Sequence, residues 1–268
     1  MKKIFLFIVL LLLVAGCAPP EKPAVPVKSQ ETVAFTKFPV LEYHMIGRPE
    51  GRWQRTPENF RRDLEWLYAN NYYPLNLRDL LNGFNVVPVG KTPVVLTFDD
   101  STIGQFNYLT NGQLDPDSAV GVLKQFHDRH PDWPMRATFF VLIETNPPSH
   151  NLFGQPELAG QKLSRLEEWG MEVGAHTYSH DRLDRVSAAA ARRSLDRERA
   201  TLSKFVSAEI VSLALPLGKY PADLSVLEKF KLIAEVAGGL NPVKFDPLHV
   251  KRIQAIDSEW LRFFRRSS

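Results

Sequence analysis

The chain has 268 residues, one cysteine and a formal net charge of +3. A single cysteine excludes an intramolecular disulfide and a cysteine-based metal site. Lys2 and Lys3 supply two of the positive charges, so the chain that follows them carries about +1. This weak charge gives no indication of a nucleic-acid partner.

The first 16 residues have the pattern of a secretory signal peptide. Two lysines precede an apolar run that ends at Val14 and is too short to span a bilayer. Val14-Ala15-Gly16-Cys17 resembles a bacterial lipobox, in which cleavage precedes the cysteine and the cysteine receives a lipid. We therefore predict a lipoprotein signal peptide over residues 1–16 and lipidation at Cys17. An uncleaved N-terminal anchor, or an ordinary signal cleaved nearby, would also export the chain.

Residues 17–37 are rich in proline and show neither helical nor strand periodicity. This composition predicts an extended tether that lifts the following domain off a membrane surface. Residues 38–268 alternate strand and helix patterns, and their number suits a single α/β domain with a sizeable core.

The domain begins with a predicted strand over residues 38–44, which ends in His44. Thr56-Pro57-Glu58 then begins a helix, with an N-cap, a proline at the first helical position and an early acid. A short strand over residues 72–75 and a short helix over residues 77–81 follow. From these residues alone, His44 is most simply a hydrogen-bonded histidine at a strand end.

Two adjacent carboxylates, Asp99 and Asp100, follow the apolar run Pro93–Phe98. Such a run predicts a buried strand, and ligands bind at the C-terminal ends of strands in parallel α/β proteins. A buried pair of acids repels itself unless a cation lies between them or their environments differ. A divalent metal would satisfy this condition, although a solvated turn or a helix N-cap would also explain two acids here.

The next elements are predicted as a helix over residues 117–130, a strand over 136–143, a loop over 146–155 and a helix over 162–169. The following strand runs into His176 and His180. Their spacing places both imidazoles on one side of a helical turn, from which they can reach one metal ion. Two histidines and one aspartate leave coordination positions for water and substrate, as in a catalytic centre.

The C-terminal third is predicted to contain a long amphipathic helix over residues 187–205, a strand over 210–217 and a closing strand over 247–253. Pro216-Leu217-Gly218 turns the chain after the first of these strands. The tail from residue 259 is most simply a packed helix with a basic outer face, or alternatively a segment that contacts a membrane surface.

Thr97-Phe98-Asp99-Asp100 and His176-Thr177-Tyr178-Ser179-His180 resemble the first two motifs of the NodB-homology polysaccharide deacetylases, carbohydrate esterase family 4. The resemblance extends to residues 137–141 and 213–218 and covers most of the chain from about 38 to 256. It implies a distorted (β/α) barrel in a single domain. The strand bearing His44, ahead of the first motif, resembles the circularly permuted branch, which includes exopolysaccharide deacetylases.

The resemblance implies a role for each site residue. It makes Asp99 the general base, and it makes Asp100, His176 and His180 the ligands of a divalent metal, with zinc expected. The residues by themselves would also allow the two aspartates to exchange roles. His44 becomes the candidate general acid.

Three positions depart from the pattern of the family. The usual Leu-x-His near the C-terminus is Leu248-His249 here, so His249 is a second candidate acid below His44. Leu217, whose backbone N–H is implied to hold the oxyanion, replaces an aromatic residue. Ala214 stands where members with the longer motif place an arginine that orients the catalytic aspartate. The sequence therefore does not show which residue orients and tunes Asp99.

The resulting prediction is a metal-dependent hydrolase that removes N-acetyl groups from a polysaccharide of the cell envelope or the extracellular matrix. An N-acetylglucosamine polymer is the preferred substrate, with peptidoglycan or chitin as alternatives. An O-acetyl xylan esterase and a non-catalytic carbohydrate-binding protein on the same fold are the competing functions. The enzyme is expected to be exported and lipid-anchored to a bacterial membrane, at the cell surface or in the periplasm, and no protein partner is indicated.

Overall fold

The computed structural model describes residues 35–146 and 148–264. The predicted signal peptide, the lipidation site Cys17 and all but the end of the predicted tether lie outside these residues. Within the described ranges, none of the helices has both the length and the hydrophobicity needed to cross a bilayer.

The described residues contain short β-strands separated by helices and long loops. The strands in chain order are β1 (Lys37–Phe38), β2 (Val40–Tyr43), β3 (Met45–Ile46), β4 (Gln54–Arg55), β5 (Tyr72–Leu75), β6 (Thr92–Phe98), β7 (Thr138–Val141), β8 (Glu172–Ala175), β9 (Ser212–Ala214), β10 (Leu232–Gly238), β11 (Asn241–Pro242) and β12 (Val250–Gln254).

A closed parallel barrel is built from β2, β12, β10, β9, β8, β7 and β6, in that order. The barrel closes because β6 pairs with β2 along one edge, from Val40 opposite Val95 to Tyr43 opposite Phe98. On its other edge, β6 pairs first with β5 and then with β7. This arrangement confirms the predicted (β/α) barrel, and the split pairing of β6 is one of its distortions.

Helices surround the barrel, namely α1 (Pro57–Ala69), α2 (Ala119–Arg129), α3 (Ala159–Glu168), α4 (Ala188–Leu202) and α5 (Asp257–Phe263). Three of these helices, α1, α2 and α4, begin after a serine or threonine whose side chain caps the helix. The predicted cap Thr56 accepts a hydrogen bond from the Asn59 N–H, at 3.3 Å. Short 3-10 turns at Leu77–Asn82, Pro148–Gly154, Pro156–Leu158, Pro216–Gly218 and Leu224–Leu227 complete the described secondary structure.

Several predicted elements exist but have different bounds. The first strand is interrupted at Pro39, which has no N–H to donate to a neighbouring strand, so β1 pairs with β11 and β2 joins the barrel. The predicted strand over 136–143 is paired only from Thr138 to Val141, where its neighbours reach it. The predicted loop over 146–155 contains a 3-10 turn.

Alternation along the strands separates two buried layers. Leu41, Leu96 and Phe98 belong to the large cluster that packs under the helices. Val40 and Val95 belong to a second cluster, which the barrel strands enclose. Because side chains alternate along a strand, the enclosed face continues upward from these two valines toward the C-terminal strand ends.

The loop between β2 and α1 is fastened by a buried ion pair. The Arg55 guanidinium donates to Asp63 on α1, with Nη2–Oδ1 2.6 Å and Nε–Oδ2 2.9 Å. The Tyr43 hydroxyl donates to the same carboxylate at 3.1 Å. Burial raises the pKa of Asp63 to about 6, although Arg55 and Tyr43 favour its ionised form.

We expect Arg55→Met to lower the free energy of unfolding by about 3 kcal/mol, because it leaves the Asp63 carboxyl buried without its cation. The measurement is urea unfolding followed by circular dichroism. Arg193→Met, at an exposed position on α4, is the matched control and should change stability by less than about 0.5 kcal/mol. Equal losses in the two variants would contradict a specific contribution of the buried pair.

Candidate active site

The predicted site residues come from the C-terminal ends of neighbouring barrel strands. Asp99 and Asp100 directly follow β6, and His176 directly follows β8. The chain leaves β6 sharply, because Asp100 and Ser101 have φ values of 76° and 42°. This turn directs the two adjacent carboxylates to different surroundings.

Asp100, His176 and His180 form a compact group of potential metal ligands. The Asp100 Oδ1 atom lies 3.3 Å from His176 Nε2 and 3.5 Å from His180 Nε2. One ligand atom from each residue lies within 4.8 Å of the others. Asp100 Oδ1 is buried and has no hydrogen-bond partner among the described residues. A buried carboxylate oxygen facing two imidazole nitrogens fits a divalent cation held between them.

The group also has the electrostatics of a cation site. Burial lowers the pKa of His176, but the Asp100 and Asp99 carboxylates outweigh this effect and raise it to about 9. Burial likewise opposes ionisation of Asp100, yet the facing His176, His44 and His180 hold its pKa well below the usual range. The carboxylate charge therefore favours a positive charge among the imidazoles.

The two histidines do not lie on a helical turn, so the sequence-based prediction of their local backbone is wrong. Thr177 and His180 have φ values of 66° and 59°, in the left-handed region. A tight turn from Thr177 to His180 therefore brings the second imidazole back to the first. Spacing in the sequence could not distinguish this turn from a helix, because either conformation brings side chains four residues apart together.

His176 is fixed from two sides. Its Nδ1 lies 2.8 Å from the Ala214 carbonyl oxygen, which accepts a hydrogen bond from the Nδ1–H group and leaves Nε2 facing Asp100. Its backbone N–H donates to the buried Glu198 carboxyl on α4, at 2.6 Å. Burial raises the pKa of Glu198 to about 8, although the backbone N–H bonds favour its charged form. The Glu198 carboxyl thus holds the backbone of the histidine motif by accepting this hydrogen bond.

Asp99 is held by an arginine that the sequence analysis did not identify. Arg252 on β12 donates two parallel bonds to the Asp99 carboxylate, Nη1–Oδ1 2.7 Å and Nη2–Oδ2 2.7 Å. Both side chains are buried. Burial opposes the charge of Asp99, but Arg252 outweighs it and lowers the pKa of Asp99. The replacement of the family arginine by Ala214 had left open which residue orients Asp99. Arg252, on the last barrel strand, makes a contact with Asp99 that can do so.

The same guanidinium contacts a second buried carboxyl. Arg252 Nη2 lies 3.1 Å from Glu42 Oε1, and Glu42 Oε1 lies 3.8 Å from His44 Nε2. Burial raises the pKa of Glu42 to about 8 despite Arg252. Burial also lowers the pKa of His44, while the charges of Asp99 and Asp100 act in the opposite direction. The candidate acid thus lies in the same buried network as the candidate base.

Comparison with known proteins identifies the family. The polysaccharide deacetylase family model matches residues 87–233, which is more than half of the chain. The chain belongs to the polysaccharide deacetylase family. A model of the prokaryotic membrane lipoprotein lipid attachment site matches residues 1–18. A search of curated proteins returned no match.

Solved structures of other deacetylases share this fold. The Streptococcus pyogenes deacetylase PplD, solved with acetate, is 22% identical, has a TM-score of 0.65 and aligns over 86% of this chain and 99% of its own. The Bacillus cereus polysaccharide deacetylase BC0361 is 20% identical, with a TM-score of 0.64 over 82% of this chain and 65% of its own. The Bordetella bronchiseptica BpsB deacetylase domain is 16% identical, with a TM-score of 0.58 over 82% and 96%. Membership of this family makes the chain a deacetylase, as predicted.

The other two predicted site residues of this deacetylase lie at the rim. His249, the alternative acid, has a side chain that is 55% exposed and contacts Glu235 Oε1 at 2.9 Å and the Tyr220 hydroxyl at 3.0 Å. His249 is not part of either group of clustered ligand atoms in the described residues, whereas His44 is. Leu217 lies in the turn after β9 with φ 56° and is 55% exposed.

An aromatic side chain that packs beside His44, Trp53, was also missed by the sequence analysis. The Trp53 indole packs on the His44 imidazole, with ring centroids 4.7 Å apart, and is 39% exposed. The Arg52 guanidinium covers the indole at 4.9 Å. A cavity of about 310 Å³ adjoins this side of the site, lined by Arg52, Gln254, Arg262 and Phe263 among others. The signal in the sequence that could have indicated this surface was the adjacent pair Arg52-Trp53, shortly after His44.

We expect Glu198→Ala to weaken zinc binding by roughly 10- to 100-fold, because the backbone of His176 loses its acceptor. Glu198→Gln should bind zinc almost as well as the wild type, since an amide oxygen can accept the same bond. Isothermal titration calorimetry of the metal-free proteins with Zn²⁺ makes the comparison. Equal losses in both variants would show that carboxyl charge, and not the hydrogen bond, is what matters.

Proposed function

We propose that this protein is a metal-dependent N-deacetylase of an exported polysaccharide, with a polymer of N-acetylglucosamine as its substrate. The observation that carries the proposal is the pairing of two adjacent aspartates in different surroundings. Asp100 faces His176 and His180, while Asp99 is bound by Arg252. One carboxylate is thus available for a cation and its neighbour for proton transfer.

Asp100, His176 and His180 would hold the divalent ion, and the nitrogen and oxygen donor set suits zinc. When bound there, such an ion polarises the acetamide carbonyl and lowers the pKa of a water molecule. Ala214 O and Glu198 contribute indirectly, because they fix the imidazole and the backbone of His176.

Asp99 acts as the general base in this proposal. Arg252 keeps the carboxylate charged, so it can accept the proton of the attacking water. The same bidentate contact leaves little freedom for Asp99 to turn toward the metal ligands. This supports the base role for Asp99 and the ligand role for Asp100, the assignment that the residues alone left open.

His44 would donate a proton to the departing amine, and the N–H of Leu217 would stabilise the negative charge on the carbonyl oxygen. His44 is preferred to His249 because it lies in the buried network with Asp99, whereas His249 is exposed beside Glu235. The products are acetate and an amino sugar.

A polymeric sugar substrate is supported by the rim. The partly exposed Trp53 ring offers a flat apolar surface next to His44, and Arg52, which packs on this ring, also lines a cavity of about 310 Å³. The non-catalytic binding alternative rests on the loss of the usual arginine and of the usual aromatic residue at Leu217. The contact of Arg252 with Asp99 answers the first of these losses, which favours the catalytic function.

Zinc removal and two aspartate substitutions test the roles. Chelation should abolish acetate release from poly-N-acetylglucosamine, and added Zn²⁺ should restore it. Asp100→Ala should lose both zinc binding and activity. Asp99→Asn should still bind zinc but release acetate roughly 10²- to 10⁴-fold more slowly, the range for loss of a general base.

Asp128→Asn, at an exposed position on α2, is the matched control and should behave as the wild type. If zinc binds but the wild type releases no acetate from this polymer, peptidoglycan, chitin oligomers or acetylated xylan, the binding-protein alternative replaces the proposal. Faster release from acetylated xylan than from N-acetylated polymers would instead assign an esterase.

We also propose that the protein is anchored through a lipid at Cys17. Cys17→Ser should move it from the membrane fraction to the soluble exported fraction while leaving acetate release per molecule unchanged. Fractionation of cells followed by immunoblotting makes the measurement. Retention of the variant in the membrane fraction would assign anchoring to another segment.

A further inference from the structure

Glu42 is a carboxyl in a place that the barrel would otherwise fill with an apolar side chain. It lies within the buried strand β2, between Leu41 and Tyr43, and it is almost completely inaccessible. Alternation puts Glu42 on the same face of the chain as Val40 below it and His44 above it. A buried carboxyl is costly unless polar contacts compensate, so its position calls for an explanation.

Only one of the two Glu42 oxygens is engaged within the described residues. Oε1 accepts from Arg252 at 3.1 Å and is the oxygen nearest to His44 Nε2, at 3.8 Å. Oε2 is buried and has no hydrogen-bond partner among the residues that the structure describes. A buried carboxyl therefore lies close to the imidazole of the candidate acid, with Oε1 facing His44 Nε2 at 3.8 Å.

These residues do not make a second cation site. Glu42, His44 and Asp99 do offer ligand atoms within 4.8 Å of one another. However, the Arg252 guanidinium already lies between the two carboxyl groups and donates to both. A metal ion there would have to displace a buried arginine or share its position with a positive charge.

We propose, on the basis of the proposed function, that Glu42 is the positioning residue for His44 and that Arg252 joins the acid and the base into one unit. In this proposal the Glu42 carboxyl attracts the Nε2 side of the imidazole electrostatically across 3.8 Å, and the other ring nitrogen is directed toward the substrate. Arg252 fixes Glu42 relative to Asp99, and thereby fixes the distance between the groups that donate and accept protons.

The proton balance follows from this arrangement. Asp99 takes one proton from the attacking water as the new carbon–oxygen bond forms. His44 gives one proton to the nitrogen as the carbon–nitrogen bond breaks and acetate leaves. The proton on Asp99 must return to His44 before the next cycle, through solvent in the open site.

The test compares two leaving groups. An amine must be protonated as it leaves, whereas 4-nitrophenolate leaves without a proton. Glu42→Gln keeps the shape and an oxygen for Arg252, but removes the carboxyl. In the full-length, zinc-loaded protein, this change should lower kcat for N-acetylglucosamine oligomers by roughly 10²-fold or more, the scale of general acid catalysis. It should leave kcat for 4-nitrophenyl acetate within about threefold of the wild type.

Two comparisons separate positioning from general damage. Glu172→Gln makes the same change at another buried glutamate, at the beginning of β8, and should preserve the ratio of amide to ester activity. Adding Glu42→Gln to His44→Asn should cause little further loss on the oligomers, because a positioning residue acts only through its partner. Zinc stoichiometry by atomic absorption should stay at that of the wild type.

Equal losses on the two substrates, or additive losses with His44→Asn, would overturn the role of Glu42 while leaving the deacetylase assignment intact. A lower zinc content in Glu42→Gln would also overturn it, since it would make Glu42 a ligand. Failure of the wild type to release acetate from any N-acetylated sugar would be a different result, which removes the proposed function and this inference with it.

Discussion

The architecture of the site depends on one buried guanidinium. Arg252 donates to Asp99 and to Glu42, and these three ionisable side chains occupy the centre of the barrel above its apolar layer. A buried ion group of this kind is weak evidence for stability, because desolvation opposes the attraction between the charges. Arg252 instead fixes the positions of Glu42 and Asp99, two acids that would otherwise repel one another. Their pKa values shift in opposite directions, upward for Glu42 and downward for Asp99.

The register of the strands explains why these groups meet. Val40 lies opposite Val95 and Glu42 lies opposite Thr97, so each further step of two residues brings a new pair to the enclosed face. Asp99 is the next residue on that face after Thr97, and His44 is the next after Glu42. The apolar layer, the buried polar layer and the reactive layer are therefore successive levels of one barrel, and a shift by one residue would turn them all outward.

Local sequence was sufficient for most of the elements and for the two motifs that carry the clustered acids and histidines, because strand alternation, helix caps and acid or histidine pairs are short-range signals. The barrel strand β10 was not predicted. The barrel and the deacetylase family were correctly predicted from those motifs. Features that depend on backbone angles or on distant contacts also escaped. The turn that joins His176 to His180 depends on left-handed backbone angles, which the spacing does not encode. The role of Arg252 depends on barrel closure, which brings together residues 153 positions apart.

Barrel closure also orders events in time. The residues proposed as metal ligands and the base are in place once β6 to β9 have been made, but β12, which carries Arg252, is inserted between β10 and β2 near the end of the chain. Until that last strand pairs, Asp99 lacks its cation and the barrel has an open seam. In the proposed exported protein, the contact between Arg252 and Asp99 can form only after residue 252, which lies 153 positions beyond Asp99, has crossed the membrane.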